Sequence, residues 1–220
     1  IANKNVVEWV IACNRNAHSS IKAAAMVMDA LVLQVEPGED GVMRGEDLDA
    51  AISEYERSHP THKIFAVVAT AGSTNLGVID DLEGCGRVAN RRDIWFHVDG
   101  AYGLAALCAP SVRPKFNGIE RADSLIVDPH KWLFAPFDAC ALIYREPHLA
   151  KKVHLQHAEY LETLDDDGEW NPSDYAIHLT RRARGLPFWF SLAANGTKEY
   201  TRAMEHTLTV ARQAADLIKE

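Results

Sequence analysis

The chain has 220 residues, 47% of them hydrophobic and 25% charged, with a formal net charge of −8. Those proportions suit a globular domain with a sizeable core, and the negative balance argues against nucleic acid as the main partner. No apolar run approaches the roughly 18 residues of a membrane span, and Cys13, Cys85, Cys108 and Cys140 form no C-x-x-C pair, which disfavours a disulfide framework or a zinc site and favours a reducing cytoplasm.

In chain order, the apolar run Val6 to Ile11 comes first, so close to the start that the N-terminal end looks cut. Ile21, Ala24, Ala25, Met28 and Leu31 then share one helical face, and Leu48, Ala51, Ile52 and Tyr55 share another. Short β-rich runs cover Leu31 to Val35, Ile64 to Thr70, Ile94 to Val98, Ser124 to Val127 and Cys140 to Tyr144. Several are apolar almost throughout, as strands covered on both faces are. The alternation predicts an α/β fold with a mainly parallel sheet, whose ligands gather at the carboxyl ends of the strands. His59 and His62, flanking Pro60, mark an exposed turn, and His154 and His157 read as surface residues; no metal site is expected. From Asp165 to Pro172, acidic residues, glycine and proline predict an exposed loop. Helices are expected over Arg181 to Leu192 and Met204 to Ile218, the second with a buried stripe at Met204, Leu208, Ala211, Ala215 and Ile218. That pattern is still running at Glu220, so the C-terminal end looks cut as well, and the chain reads as an internal piece of a longer protein or as an incompletely recorded one.

Two segments carry the chemistry. In the first, the strand ending at Asp128-Pro129 is followed at once by His130, Lys131 and Trp132. A lysine at a strand's carboxyl end, beside an imidazole and an indole, is placed for desolvation and Schiff-base chemistry. It is equally a residue whose stem could cover Trp132 on the surface. In the second, Ile94 to Val98 runs into Asp99-Gly100-Ala101-Tyr102. This leaves a carboxylate where a pyridine cofactor needs one and small residues where a flat ring could approach. The competing role for Asp99 is a helix cap.

Taken together, His97-Val98-Asp99-Gly100-Ala101-Tyr102 and, 32 residues on from Asp99, the lysine of Asp128-Pro129-His130-Lys131-Trp132 resemble the group II pyridoxal-phosphate-dependent amino-acid decarboxylases. The resemblance also takes in Ala17 to Ala23, Ala69 to Asn75, Phe137 to Cys140 and Arg181 to Leu186. It implies a fold type I (aspartate aminotransferase-like) large domain over residues 1–180 and the start of a smaller C-terminal domain over 181–220. It implies pyridoxal 5′-phosphate as cofactor, an L-amino acid as substrate, and a homodimer with its sites at the interface.

Residue by residue, the resemblance implies that Lys131 holds the cofactor as a Schiff base. Asp99 pairs with the pyridinium nitrogen, while His18 and Ala101 lie on opposite ring faces. Thr74 lies near the phenolic oxygen or the substrate carboxylate, and Asp128 and His130 lie near the phosphate. Asp80 supports the pyridine side from behind. Tyr160 returns a proton after carbon dioxide leaves. Gly100, where many relatives carry alanine, is expected to leave the chemistry unchanged. The family's small-residue phosphate loop is expected upstream of Ile1. Aromatic amino acids are the first substrate expectation, with glutamate, diaminobutyrate and histidine open. The alternatives are another reaction on the same cofactor (aldehyde synthesis or transamination) and a non-catalytic homologue.

Overall fold

The computed structural model describes residues 7–154 and 171–219. Among them is a six-stranded sheet, β1 (Glu8–Asn14), β2 (Leu31–Val35), β3 (His62–Thr70), β4 (Trp95–Asp99), β5 (Ser124–Val127) and β6 (Ala141–Tyr144). The strand order is β2-β1-β3-β4-β5-β6. All neighbours pair in parallel except β5 and β6, which are antiparallel. The chain leaves β1 for β2 on one side and returns past it to β3 on the other. The order therefore reverses between β1 and β3, and in sheets of this kind a crevice opens at the carboxyl ends of such a pair.

Alternation along the strands divides the core in two. Val10, Ala12, Val67, Ala69, Phe96 and Val98 join the larger cluster. Ile11, Cys13, Ala66 and Val68 turn to the other face. Parallel strands are apolar on both sides because both are covered. The larger cluster is roofed by α2 (Gly45–Ser58) and α3 (Leu82–Arg91), and the smaller by α1 (Ser20–Val27). In α2, Glu46 and Asp47 occupy the first turn and Arg57 the last, matching the helix dipole. In α3, the Asp81 carboxylate caps the start by accepting the Gly84 N–H at 2.9 Å. Three short 3₁₀ turns, Gly103–Cys108, Arg113–Phe116 and Ile119–Arg121, carry the chain from β4 to β5. After β6, α4 (Pro147–His154) follows, and α5 (Gly185–Lys219) closes the chain.

Four expectations need correction. The helix predicted from Arg181 begins only at Gly185, because Arg182 and Arg184 reach back to pair with Asp138. The two C-terminal helices form one helical run, broken at Gly196 (φ 73°, ψ 163°). Its buried stripe stops early: Met204 is buried and Leu208 half-buried, but Ala211 and Ala215 are exposed and Ile218 is 85% exposed. In α1 only Ala25 is buried, and Met28 and Leu31 face outward.

His59 and His62 are half-buried rather than fully exposed. The Tyr55 ring stacks on His59 at 4.4 Å, and the Tyr55 hydroxyl lies 2.8 Å from His62 Nδ1. Among the described residues no group of three or more His, Cys, Asp or Glu side chains could hold a metal ion.

Candidate active site

At the carboxyl ends of β1, β3, β4 and β5 lies a cavity of about 280 Å³. Its walls bring together six of the expected site residues: His18, Thr74, Asp99, Ala101, Asp128 and Lys131. His18 comes from the segment between β1 and α1, and Thr74 from the turn after β3. Asp99 and Ala101 stand at the end of β4, and Asp128 and Lys131 just beyond β5. Residues up to 113 positions apart in sequence meet because parallel strands end on one edge.

Local contacts fix each group. His18 Nδ1 lies 2.9 Å from Ser20 Oγ and accepts the Ser20 N–H at 3.2 Å, which sets the ring against the start of α1. Asp99 Oδ1 accepts the Ala101 N–H at 3.1 Å. The Asp128 N–H donates to the Ala101 carbonyl at 3.0 Å, tying the two chemical segments together. Lys131 Nζ stands 2.9 Å from Asp128 Oδ2. Trp132 stacks on Tyr102 at 5.3 Å, and its indole N–H donates to Thr207 Oγ1 of α5 at 3.0 Å. The indole thus packs on tyrosine and α5, and Lys131 itself lines the cavity.

Asp80 is 2% exposed and lies behind the cavity wall. It accepts from Asn14 Nδ2 at 2.8 Å, the Met43 N–H at 2.9 Å and the Thr70 N–H at 2.7 Å. It therefore braces the last residues of β1 and β3, the two strands that flank the crevice. Burial lifts its carboxyl above the usual range, against the pull of those three donors. Thr70 pairs in register with Asp99, and its own hydroxyl is buried without a hydrogen-bond partner beside the cavity.

The remaining expectations fare differently. His130 does not line the cavity; its Nδ1 faces the Ala139 backbone, and its ring meets Phe137 edge-on at 5.0 Å. Tyr160 and His157 lie outside the described residues. Residues not anticipated also line the cavity, among them His97 and Tyr102. His97 had a signal: it lies two residues before Asp99, so strand alternation puts both on one face. Burial pushes its imidazole down, partly offset by the Asp99 charge. Cys140 lies near Asp128, whose charge helps push its thiol up.

A primary amine, a carboxylate and an imidazole around one cavity suit a cationic, planar ring bearing an aldehyde. The amine can condense with the aldehyde and the carboxylate can hold a proton on a ring nitrogen. The unpartnered Thr70 hydroxyl leaves a further polar group at the wall. These residues fit pyridoxal 5′-phosphate.

Comparison with known proteins gives the same direction. The family described as "Pyridoxal-dependent decarboxylase conserved domain" matches residues 3–220. An aromatic-L-amino-acid decarboxylase of Drosophila lebanonensis is 34% identical over 204 residues, covering 91% of this chain and 49% of that protein. An acidic amino acid decarboxylase of Xenopus tropicalis is 32% identical over 217 residues, covering 96% of this chain and 42% of its own length. The crystal structure of mouse CSAD superposes with a TM-score of 0.87 at 29% identity, covering 97% of this chain and 45% of that one. The chain thus spans less than half the length of these relatives.

Proposed function

Because the chain belongs to the pyridoxal-dependent decarboxylase family, we propose that it forms much of the cofactor domain of a carboxy-lyase that converts an L-amino acid to its amine and carbon dioxide. The observation that carries this reading is the single cavity shared by His18, Thr74, Asp99, Ala101 and Lys131. When bound, pyridoxal 5′-phosphate supplies an electron sink for the pair released as the carboxylate carbon departs.

In this reading, the side chains bind, orient and manage protons. Lys131 Nζ would hold the cofactor through its aldehyde carbon. The Asp99 carboxylate keeps a proton on the ring nitrogen, which sustains electron withdrawal. His18 and Ala101 hold the ring between them. Thr74 would orient the phenolic oxygen or the substrate carboxylate. His130 braces the segment that carries Lys131, through the Ala139 backbone.

Residues 1–180 belong in this reading to the large domain. Residues 181–220 open a smaller one, which leans on the first through Tyr200 and Met204 of α5. The enzyme is a homodimer of the cytoplasm. Aromatic L-amino acids are the first substrates to test, as acted on by relatives of that name.

The decisive experiment is a reductive trap. The full-length protein is incubated with pyridoxal 5′-phosphate, reduced with borohydride, digested and analysed by mass spectrometry. Phosphopyridoxyl label concentrated on Lys131 is the expected result. Label scattered over surface lysines, or none, would remove the enzyme reading and favour a non-catalytic homologue.

A further inference from the structure

The antiparallel pairing of β5 with β6 brings a second side chain to the lysine's partner. Ser124 pairs with Tyr144 and Val127 with Ala141, so Asp128 and Cys140 are the next pair in register. Cys140 thus comes close enough to feel the Asp128 charge, and Lys131 Nζ meets the same carboxylate at 2.9 Å. The Asp128 side chain is only 13% exposed, against 41% for Lys131. Among the described residues Lys131 makes no other ion pair. Asp99, His97 and His18 line the cavity without contacting its ammonium group.

An ammonium group has no lone pair and cannot attack a carbonyl. It must first give up a proton, and the acceptor in contact with it is Asp128. We propose that Asp128 is the base that takes the proton of Lys131 when the cofactor is captured, with Cys140 as the positioning residue that aims the carboxylate.

The step balances. One proton passes from the Lys131 ammonium to Asp128 Oδ2, giving a neutral amine and a neutral carboxylic acid. The amine lone pair forms a C–N bond to the aldehyde carbon. The carbonyl oxygen leaves as one water, with the two amine hydrogens, and a C=N bond remains. The transfer also changes what an incoming phosphate meets, since an ionised carboxylate would repel it and a carboxylic acid can donate to it. Cys140 suits its part because, although the residue as a whole is exposed, desolvation of its thiol and the Asp128 charge push it up to about 11, so it stays a donor at neutral pH.

This inference rests on the proposed cofactor, and the test separates the two. Full-length apoprotein is mixed rapidly with rising concentrations of pyridoxal 5′-phosphate, and imine absorbance resolves a binding step from a first-order condensation step. Asp128→Asn is expected to slow condensation at least tenfold at neutral pH. It should still bind pyridoxine 5′-phosphate, which lacks the aldehyde and so reports an intact site. Cys140→Ser, which keeps a donor, is expected to slow condensation less than threefold. Condensation unchanged or faster in Asp128→Asn would overturn the proposal, since Asp128 would then merely restrain the lysine. Should Asp128→Asn fail to bind pyridoxine 5′-phosphate, Asp128→Glu decides. Binding with condensation restored supports the base role; binding with condensation still slow overturns it. No imine in the wild type would overturn the cofactor reading and this inference with it.

Discussion

His97 lies on the cavity side of β4, with Nδ1 2.8 Å from Ser124 Oγ. Its folded pKa is depressed by burial, so between that value and the unfolded value of about 6.5 the unfolded chain binds more protons. Its contribution to stability is present above pH of about 6.5 and is lost as pH falls through the folded value. Asp80 works in the opposite sense. Its folded pKa is raised, so its contribution is full below the unfolded value of about 3.9 and is lost as pH rises through the folded one. Urea unfolding of His97→Gln should therefore lose less stability than wild type between pH 7 and 5. Equal acid slopes in the two proteins would contradict this. Asp80→Asn should cost about 1–3 kcal/mol, because its amide must present a donor to one of three groups that already donate. Its deficit should shrink as pH rises and the wild-type carboxyl ionises.

At the scale of elements, the turn between β4 and the first 3₁₀ segment is packed on Gly100. A Cβ there would stand 1.9 Å from Leu104 Cγ, and Leu104 is buried. Gly100 therefore bears on packing, whatever its bearing on chemistry. Gly100→Ala should destabilise by about 1–3 kcal/mol through overpacking. Combined with Leu104→Ala it should cost less than the two changes summed, and a double-mutant cycle measures that coupling. Strict additivity would show that Leu104 simply moves aside. Five of the six β-strands were legible in the sequence because they are short, apolar and rich in β-branched residues, whereas β1 was read only as an apolar run. Helix α3 was not, because Gly84 and Gly86 dilute its pattern; it forms because Asp81 caps it and Leu82, Cys85, Val88 and Ala89 are buried. The stripe on α5 misled because periodicity records which residues share a face, not whether anything covers it.

Across the whole molecule, the mainly parallel α/β fold was legible, and so was the edge at which the motif residues meet. Motif residues on separate strands predicted a shared cavity, and six of them line one. Cys140 could not be foreseen, because its nearness to Asp128 depends on β6 running antiparallel, a choice made by long-range pairing and not by local pattern. The two faces of the sheet are also unequally clad: α2 and α3 cover one, while the eight residues of α1 lie on the other. Trp9, at β1 on that side, is about half exposed and meets Phe65 edge-on at 6.0 Å.

The place of β6 at the end of the order among the described strands has a further consequence. It is held by four ladder pairs, and Leu142 and Ile143 are exposed. The span from Asp128 to Cys140, with Lys131 inside it, leaves and re-enters the sheet at that seam. Opening there needs few buried contacts to break, so its amides should exchange with deuterium well before those of β1 and β3. Mass-spectrometric exchange on peptides covering 124–144 and 62–70 would measure the gradient, and uniform protection would refute it. Such a gradient would let the segment that carries the reactive amine open to admit cofactor while the central strands stay closed.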